Sequence, residues 1–265
     1  MKHLYLFILG ILSCVACSNV NSNNKTQDAS NSTPNRFSSD SIQIIDSIYI
    51  GKTMEGDSSW MHTNYTCTYP VTDNPNWQKA KQNILYWICE IFNDTKHTNW
   101  NNIEKIATEY GDSVRYSVRE DFVPDSGYLP CEHLEQSINI APVFENDTII
   151  TYGYGLYMFM GGAHGGYYYI GQSFNKNTGH QYNFDLLSKY DKVSLNTLII
   201  NGLKEYFCCT REEVEDMIDV EDIHNIPLPS TPPYITENGI IITYQQYEIA
   251  CYAAGMPSFV IPLDK

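Results

Sequence analysis

A single histidine in a glycine-rich segment is the side chain best suited to chemistry in this sequence. Residues 161–166 read Gly-Gly-Ala-His-Gly-Gly, so His164 lies among five small residues. Glycine permits backbone conformations with positive φ and lets another chain approach closely. The imidazole can titrate near neutral pH or donate a hydrogen bond to a ligand. The alternative is a histidine that holds a tight loop together by bonding to its backbone.

The usual catalytic and metal-binding sequence patterns are absent. The chain has no Gly-x-Ser-x-Gly motif, no His-Glu-x-x-His and no close Cys/His spacing for zinc. The glycine-rich segment lacks the Lys-Ser/Thr of a phosphate loop. Carboxylate runs such as Glu212-Glu213 are typical of solvated surface. We therefore predict no catalytic residue, no metal and no cofactor. A hydrolase that uses His164 and a carboxylate remains an alternative.

A second motif near the C-terminus combines aromatic and very small residues. Residues 247–255 read Tyr-Glu-Ile-Ala-Cys-Tyr-Ala-Ala-Gly. Because residues 253–255 fill little volume, we expect them to lie against another backbone or to form a saddle. At such a saddle, Glu248 and Tyr252 would present polar groups. The alternative is a tight turn that leads into the last strand.

Charge narrows the class of partner. The chain has 31 acidic and 16 basic residues, and its formal net charge is −15. A nucleic-acid-binding protein needs a basic face, so this balance argues against nucleic acid. It favours a cationic partner through long-range attraction, although simple solubility explains the same balance.

The N-terminus predicts export and a lipid anchor. A charged start is followed by an apolar stretch at residues 4–12, which is typical of a secretory signal and is too short to span a bilayer. We predict a lipoprotein signal peptide at residues 1–17 with lipidation of Cys17, or of Cys14. An ordinary cleaved signal is the alternative. The polar residues 18–40 predict a flexible tether. The mature protein would be anchored in the bacterial envelope, facing the periplasm.

Cysteines outside the signal allow several arrangements in an oxidising compartment. They are Cys67, Cys89, Cys131, Cys208, Cys209 and Cys251. Six cysteines permit 15 pairings, and the sequence does not choose among them. Cys89 lies on an apolar helix face, which equally suits a buried free thiol.

Hydrophobic periodicity predicts an α+β fold with two lobes of antiparallel sheet packed with a few helices. We place the lobes at residues 41–150 and 151–265. Strands are predicted at 42–50, 63–70, 132–144, 148–160, 167–175, 180–184 and 259–263, with a hairpin at 234–244 that turns at Asn238-Gly239. Helices are predicted at 76–94, at 99–121 with a break at Gly111, at 194–207 and at 210–218, entered through Asp73-Asn74-Pro75, Ser194 and Thr210.

The two motifs resemble those of the family called domain of unknown function 3298. Its C-terminal pattern is Tyr-Glu-Ile-Ala-Pro-Tyr-Ala-Ala-Gly, and its loop is similar to Gly-Gly-Ala-His-Gly. The order of loop, hairpin, Phe184-Asp185-Leu186, helix and tail is similar too. Residues 69–92 resemble the small domain that usually precedes it, so the likeness spans nearly all of residues 41–265.

The resemblance implies a binding protein rather than an enzyme. The family includes RsiV-like ectodomains that bind lysozyme through the C-terminal region. By this likeness the partner is a lysozyme-like wall hydrolase, and cell-wall glycan is the alternative. The implied binding residues are Tyr252, Glu248, Cys251, Ala253, Gly255, Gly161, Gly162 and His164. Cys251 stands where the family has proline, which is a departure at one contact.

Overall fold

The computed structural model describes residues 36–97, 100–122 and 131–263, with the side chains of residues 121 and 122 left out. The predicted signal peptide, the lipidation site at Cys17 or Cys14 and residues 18–35 of the predicted tether lie outside this part of the chain. None of the helices within it is long and apolar enough to cross a bilayer.

The predicted tether ends too late, because residues 37–40 belong to the folded part. Phe37 is buried and stacks on Trp77, with ring centroids 4.8 Å apart and planes within 5° of parallel. Its backbone N–H donates to Glu145 Oε1 at 2.8 Å. Stacked aromatic burial of this kind fixes the chain before the first strand begins.

Five strands form the larger sheet. They are β1 (Ser39–Lys52), β2 (Ser58–Pro70), β3 (His133–Glu145), β4 (Ile149–Phe159) and β5 (Gly166–Asn175), in that spatial order. Neighbouring strands are antiparallel except β2 and β3, which are parallel. The predicted α+β fold with antiparallel sheets is confirmed, and this pair is the exception within the larger sheet. The connection from β2 to β3 carries two helices, α1 (Gln78–Ile91) and α2 (Ile103–Phe122), as a parallel crossover requires.

Both helices cover one face of this sheet. The apolar side of α1 buries Ala80, Ile84 and Ile88 against Tyr65 and Cys67 of β2. Burial of each such aliphatic side chain contributes about 1.5–3 kcal/mol, so this face holds the main core.

Gly111 does not break α2, contrary to the prediction. It allows close packing instead, because a Cβ at Gly111 would lie 2.9 Å from the Tyr65 ring. The opposite face of β1 and β2 is open to solvent, where Ile45 is 69% exposed and Trp60 is 38% exposed.

The C-terminal part builds a second, smaller sheet. Its strands are β6 (Tyr234–Thr236), β7 (Gly239–Thr243) and β8 (Ser258–Ile261), all antiparallel. Helices α3 (Lys192–Phe207) and α4 (Arg211–Met217) pack on it around Ile199, Leu203 and Val214. The predicted division at residue 150 falls inside β4, and the two sheets part between β5 and β6. The described residues together form one compact unit.

Most of the helix starts and turns predicted for this part of the chain are present, and several lie a few residues from the predicted position. The N-cap of α3 is Asp191, whose carboxylate accepts from Val193 and Ser194, and not the predicted Ser194. The predicted strand at 180–184 is reduced to one bridge, Phe174 to Gln181. Thr210, the predicted entry residue, begins α4 with a capping box that pairs it with Glu213. The hairpin turns at residues 237–238, and Gly239 opens β7.

Candidate binding surface

The glycine-rich segment is the loop of the hairpin between β4 and β5. Gly161 and Gly162 have φ values of 88° and 93°, conformations that side chains with a Cβ rarely adopt. They reverse the chain and leave His164 exposed at the tip. His164 Nδ1 lies 3.1 Å from the carbonyl oxygen of Gly165. The histidine therefore bonds to its own loop and still presents a ring face.

Tyrosines at the foot of the hairpin support this loop. Tyr157 and Tyr167 are directly paired across β4 and β5, and their ring centroids are 4.8 Å apart. Gly165 folds over the Tyr157 ring, where a Cβ would come within 2.4 Å of Cε2. Desolvation raises the pKa of the Tyr157 phenol, and the neighbouring Tyr167 and Glu135 raise it further. The phenol is thus neutral near pH 7 and can both donate and accept hydrogen bonds.

The C-terminal motif reaches this loop from the second sheet. Tyr252 donates its hydroxyl hydrogen to the carbonyl oxygen of Gly165 at 2.9 Å, 87 residues away in sequence. Its ring stacks on His164 with a centroid separation of 3.6 Å and an interplanar angle of 17°. Tyr247 lies beside both: its ring centroid is 5.7 Å from that of Tyr252, and its hydroxyl oxygen is 3.4 Å from His164 Nε2.

These contacts make one continuous patch, which we call the aromatic surface. It consists of Tyr157, His164, Tyr167, Tyr247 and Tyr252. Tyr247 is 63% exposed and Tyr167 is 55% exposed, so the rings are open to a partner. All five side chains are aromatic with a polar tip, the combination that contact surfaces favour.

Two glutamines fasten the tail to the outer edge of β5. Gln245 accepts from the backbone N–H of Tyr169 at 3.0 Å and donates to its carbonyl oxygen at 2.8 Å. Gln246 accepts from the backbone N–H of Tyr167 at 2.7 Å. The side-chain amides thus bond backbone N–H and C=O groups at the edge of β5, which an additional strand could otherwise bond. The tail is held in register with the hairpin by these bonds.

Glu248 positions the tail and has its carboxylate occupied. Its two oxygens accept the backbone N–H groups of Ser230 and Gln245. We predicted that Glu248 presents a polar group to a ligand. In the structure its carboxylate instead joins two loops of the protein. Tyr247, one residue before, has a φ of 65°. That strained conformation costs about 1–2 kcal/mol for a residue with a Cβ, and the bonds on either side sustain it.

Residues 252–254 form a tight 3₁₀ turn that leads into β8, which was the second of the two sequence interpretations. Gly255 follows with a φ of 73°. The hydroxyl of Tyr206 on α3 donates to the carbonyl oxygen of Ala254 at 2.7 Å. Cys251 and Ala253 are exposed beside Tyr252.

The structure thus brings together the two motifs singled out in the sequence. His164 and Tyr252 touch directly, and Gly161 and Gly162 shape the loop. Tyr157, Tyr167 and Tyr247 were not predicted as site residues. Tyr247 opens the second motif and could have been found there. The pairing of Tyr157 with Tyr167 needed the hairpin register.

Both free thiols and side chains that could bind metal are found in the described part of the chain. No group of three or more His, Cys, Asp or Glu side chains there is arranged to hold a metal ion. The six cysteines after the predicted signal are all free thiols, and Cys67 and Cys89 are buried.

Comparison with known proteins identifies the C-terminal part. The family described as "Protein of unknown function (DUF3298)" matches residues 188–264. No curated protein matches the chain. The glycine-rich loop lies outside the matched residues, and the predicted likeness of the preceding small domain and of RsiV-like ectodomains stays a prediction.

Two solved structures share the fold over most of the chain. A DUF3298 family member from Bacteroides fragilis is 20% identical with a TM-score of 0.67, covering 85% of this chain and 90% of its own. A DUF3298 family protein from Pseudomonas aeruginosa is 10% identical with a TM-score of 0.50, covering 86% and 92%. Identities this low establish the fold alone. Residues 188–264 are therefore a DUF3298 domain, set in a fold that two structures of that family share.

Proposed function

We propose that this protein is a lipid-anchored envelope protein that binds a cationic, lysozyme-like wall hydrolase through the aromatic surface. The supporting observation is the meeting of the His164 loop and the Tyr252 tail in one exposed patch. Both segments carry the resemblance to lysozyme-binding ectodomains. The proposal keeps His164 and Tyr252 from the residues that the likeness implies and adds the three tyrosines around them.

The chemistry of the patch suits a protein contact. Tyrosine supplies a large, stiff contact area and a hydrogen-bonding tip, and it is enriched among residues that dominate binding energy. Tyr247 and Tyr167 provide that exposed area. The bonds of Gln245 and Gln246 fix the backbone beneath them. A pre-fixed surface loses little conformational entropy on binding, which raises affinity.

Charge supports the choice of a cationic partner. The net charge of −15 attracts a basic protein over long range and accelerates encounter. The aromatic surface itself contains no acidic or basic side chain other than His164. Acidic residues elsewhere in the chain thus provide the long-range attraction, and the aromatic surface provides the contact. Raising the salt concentration should weaken the first and spare the second.

Export and anchoring through Cys17, or Cys14, belong to the same proposal. They rest on the charged start and the short apolar stretch of the sequence. Metabolic labelling with a palmitate analogue in a bacterial host tests them. We expect label on the wild-type protein and its loss in Cys17→Ser, or in Cys14→Ser if the alternative holds. Label retained in the double variant would contradict the anchor.

Calorimetric titration with a cationic lysozyme tests the binding function. At about 0.05 M and 0.3 M salt, we expect binding that weakens with salt because the Debye length shortens. Tyr252→Ala and Tyr247→Ala should each reduce affinity about 30-fold, which is the roughly 2 kcal/mol of a dominant contact residue. Tyr116→Ala is the matched control, since Tyr116 is 65% exposed on α2.

Equal affinity of wild type, Tyr252→Ala and Tyr247→Ala would exclude the aromatic surface as the contact. Absence of lysozyme binding would exclude this partner. The second candidate is then cell-wall glycan, because a near-parallel stack such as His164 on Tyr252 offers a flat ring face to a sugar. Titration with muropeptides tests it with the same variants.

The hydrolase alternative has no supporting contact. His164 is bonded to the Gly165 carbonyl and lies near the Tyr247 hydroxyl. No carboxylate of the described residues is within hydrogen-bonding distance of its ring. A histidine base in a hydrolase is normally oriented by such a group.

A further inference from the structure

Two histidines face each other on the open side of the five-stranded sheet, away from the aromatic surface. His62 Nε2 lies 3.3 Å from His133 Nδ1, and the ring centroids are 5.5 Å apart. His62 belongs to β2 and His133 to the start of β3. Their contact is a hydrogen bond between two strands, and neither residue belongs to the aromatic surface.

The parallel register places both rings on one face. Trp60 is opposite His133, and His62 is opposite Glu135, so the two histidines are diagonal neighbours. Residues at even spacing along a strand point to the same side. Both side chains therefore project from the face opposite α1 and α2, and His133 is exposed.

The distance between the two nitrogens suits a metal ion. Zinc binds imidazole nitrogen at about 2.0–2.1 Å in tetrahedral geometry, which places two ligand nitrogens about 3.3–3.4 Å apart. The observed separation of 3.3 Å already has this value. The contact is a hydrogen bond, so an ion must displace the proton that the two nitrogens share, at a separation that is already suitable.

The surroundings of the pair favour positive charge. His133 lines a cavity of about 430 Å³ that is also lined by Glu55, Asp57 and Glu132. His62 lines a cavity of about 240 Å³ that is also lined by Glu135, its neighbour across β2 and β3. Asp46 lines this cavity too, but its carboxylate is paired with Arg115 at 2.9 Å. Neither cavity has lysine or arginine in its lining. Carboxylates on both sides lower the electrostatic energy of a cation at the pair.

We propose that His62 and His133 bind one divalent transition-metal ion, Zn²⁺, Cu²⁺ or Ni²⁺, as a two-histidine site. Imidazole suits these ions, whereas Mg²⁺ and Ca²⁺ prefer oxygen ligands. Each histidine donates a lone pair from the facing nitrogen and keeps its proton on the other one. Since no third side-chain ligand is in place within the described residues, water completes the coordination. This site is independent of the proposed lysozyme-binding function.

Titration of the tag-free protein with Zn²⁺ or Cu²⁺ tests the proposal. We expect one equivalent to bind, and the Cu²⁺ electron paramagnetic resonance spectrum to show two nitrogen ligands. His62→Ala and His133→Ala should each weaken binding at least about tenfold, since losing even an outer-shell partner of a metal costs that much. His224→Ala is the matched control, because His224 is exposed elsewhere.

Three results would overturn the site. They are no binding of either metal, equal binding by wild type and His62→Ala, and loss of binding in Cys131→Ser. The last would assign the ion to the Cys131 thiol, which lies beside His133. Thermal unfolding without metal separates ligand loss from misfolding: a variant that melts as the wild type does and no longer binds has lost a ligand.

Discussion

The imidazole of His164 and the phenol ring of Tyr252 stack with their centroids 3.6 Å apart, which joins the loop between β4 and β5 to the C-terminal tail. One residue belongs to the five-stranded sheet and the other to the segment between β7 and β8. The aromatic surface therefore exists only when both parts of the molecule are folded. A substitution in the loop or in the tail should therefore change the surface, and Gly165 in the loop is a suitable position.

Replacement of Gly165 by alanine should disrupt the aromatic surface. The new Cβ would lie 2.4 Å from Tyr157 Cε2 and 2.7 Å from its hydroxyl oxygen. The ring or the loop must move, and overpacking of this kind costs about 1–3 kcal/mol. We expect a lower melting temperature and weaker lysozyme binding, measured by circular dichroism and calorimetry.

Gly166 provides the control for this substitution. A Cβ at Gly166 would meet nothing within 4 Å, so Gly166→Ala should melt and bind as the wild type does. If Gly165→Ala behaves in the same way as Gly166→Ala, the close packing of the loop on Tyr157 does not matter for the surface.

Lys176→Met should destabilise the fold strongly. Lys176 is fully buried, donates to Glu145 Oε1 at 2.7 Å and lies 4.2 Å from the centroid of a Trp77 ring. Methionine fills similar space but leaves the mostly buried Glu145 carboxylate without its cation. Breaking one partner of a buried ion pair costs about 3–5 kcal/mol. Urea denaturation measures the loss.

A second variant separates charge from packing at this position. Adding Glu145→Gln removes the orphaned charge, so the double variant should recover part of the lost stability. A double variant no more stable than Lys176→Met alone would show that the orphaned charge is not the cause of the loss.

Thiol labelling should divide the cysteines by burial. Cys208 and Cys251 are exposed, whereas Cys67 and Cys89 are fully buried. Burial raises the pKa of Cys67, which suppresses the reactive thiolate. With a maleimide under native conditions and peptide mapping by mass spectrometry, we expect Cys208 and Cys251 to react first. Rapid native labelling of Cys67 would contradict the packing of α1 on the sheet.

Alkaline pH should unfold the protein through its buried tyrosines. Burial raises the pKa of Tyr152 well above its ordinary value of 10.0, and Tyr244 is shifted in the same direction by burial and by Glu248. A raised folded-state pKa means that the folded protein holds its proton longer than the unfolded chain does. This stability is therefore fully present below pH 10 and is lost as pH rises above it.

Tyr152→Phe isolates one of these groups. Each tyrosine that titrates only in the unfolded chain contributes a slope of up to about 1.4 kcal/mol per pH unit above pH 10. Removing it should make the fall in unfolding free energy shallower by up to this amount, measured by urea denaturation at several alkaline pH values. An unchanged slope would mean that Tyr152 ionises equally in both states.

Elements with strong local signals were predicted well from the sequence. The Asn74-Pro75 signal is confirmed as the start of a 3₁₀ turn, residues 75–77, that leads directly into α1, because the Asn74 side chain accepts from Asn76 and proline lies in the first turn. The entry to α4 at Thr210 is confirmed as well, because Thr210 and its capping partner Glu213 lie within one turn. The α+β class follows from patterns of this kind.

Errors arose where distant residues decide the outcome. Phe37 looked like part of a polar tether, but Trp77 supplies the ring on which it packs. Gly111 looked like a helix break, but it admits the Tyr65 ring. The parallel pairing of β2 with β3 depends on how the chain crosses over between them, which local pattern does not specify.

The sequence by itself determined which residue types meet at the candidate surface: a glycine loop with one histidine, and a tail of tyrosines and small residues. Only the tertiary structure decided that the loop and the tail touch. The tertiary structure also places the Glu248 carboxylate on two backbone N–H groups and pairs Tyr157 with Tyr167 beneath the loop. The physical reason is range: propensity and capping act within one or two turns, whereas stacking and edge pairing depend on residues that folding alone brings together.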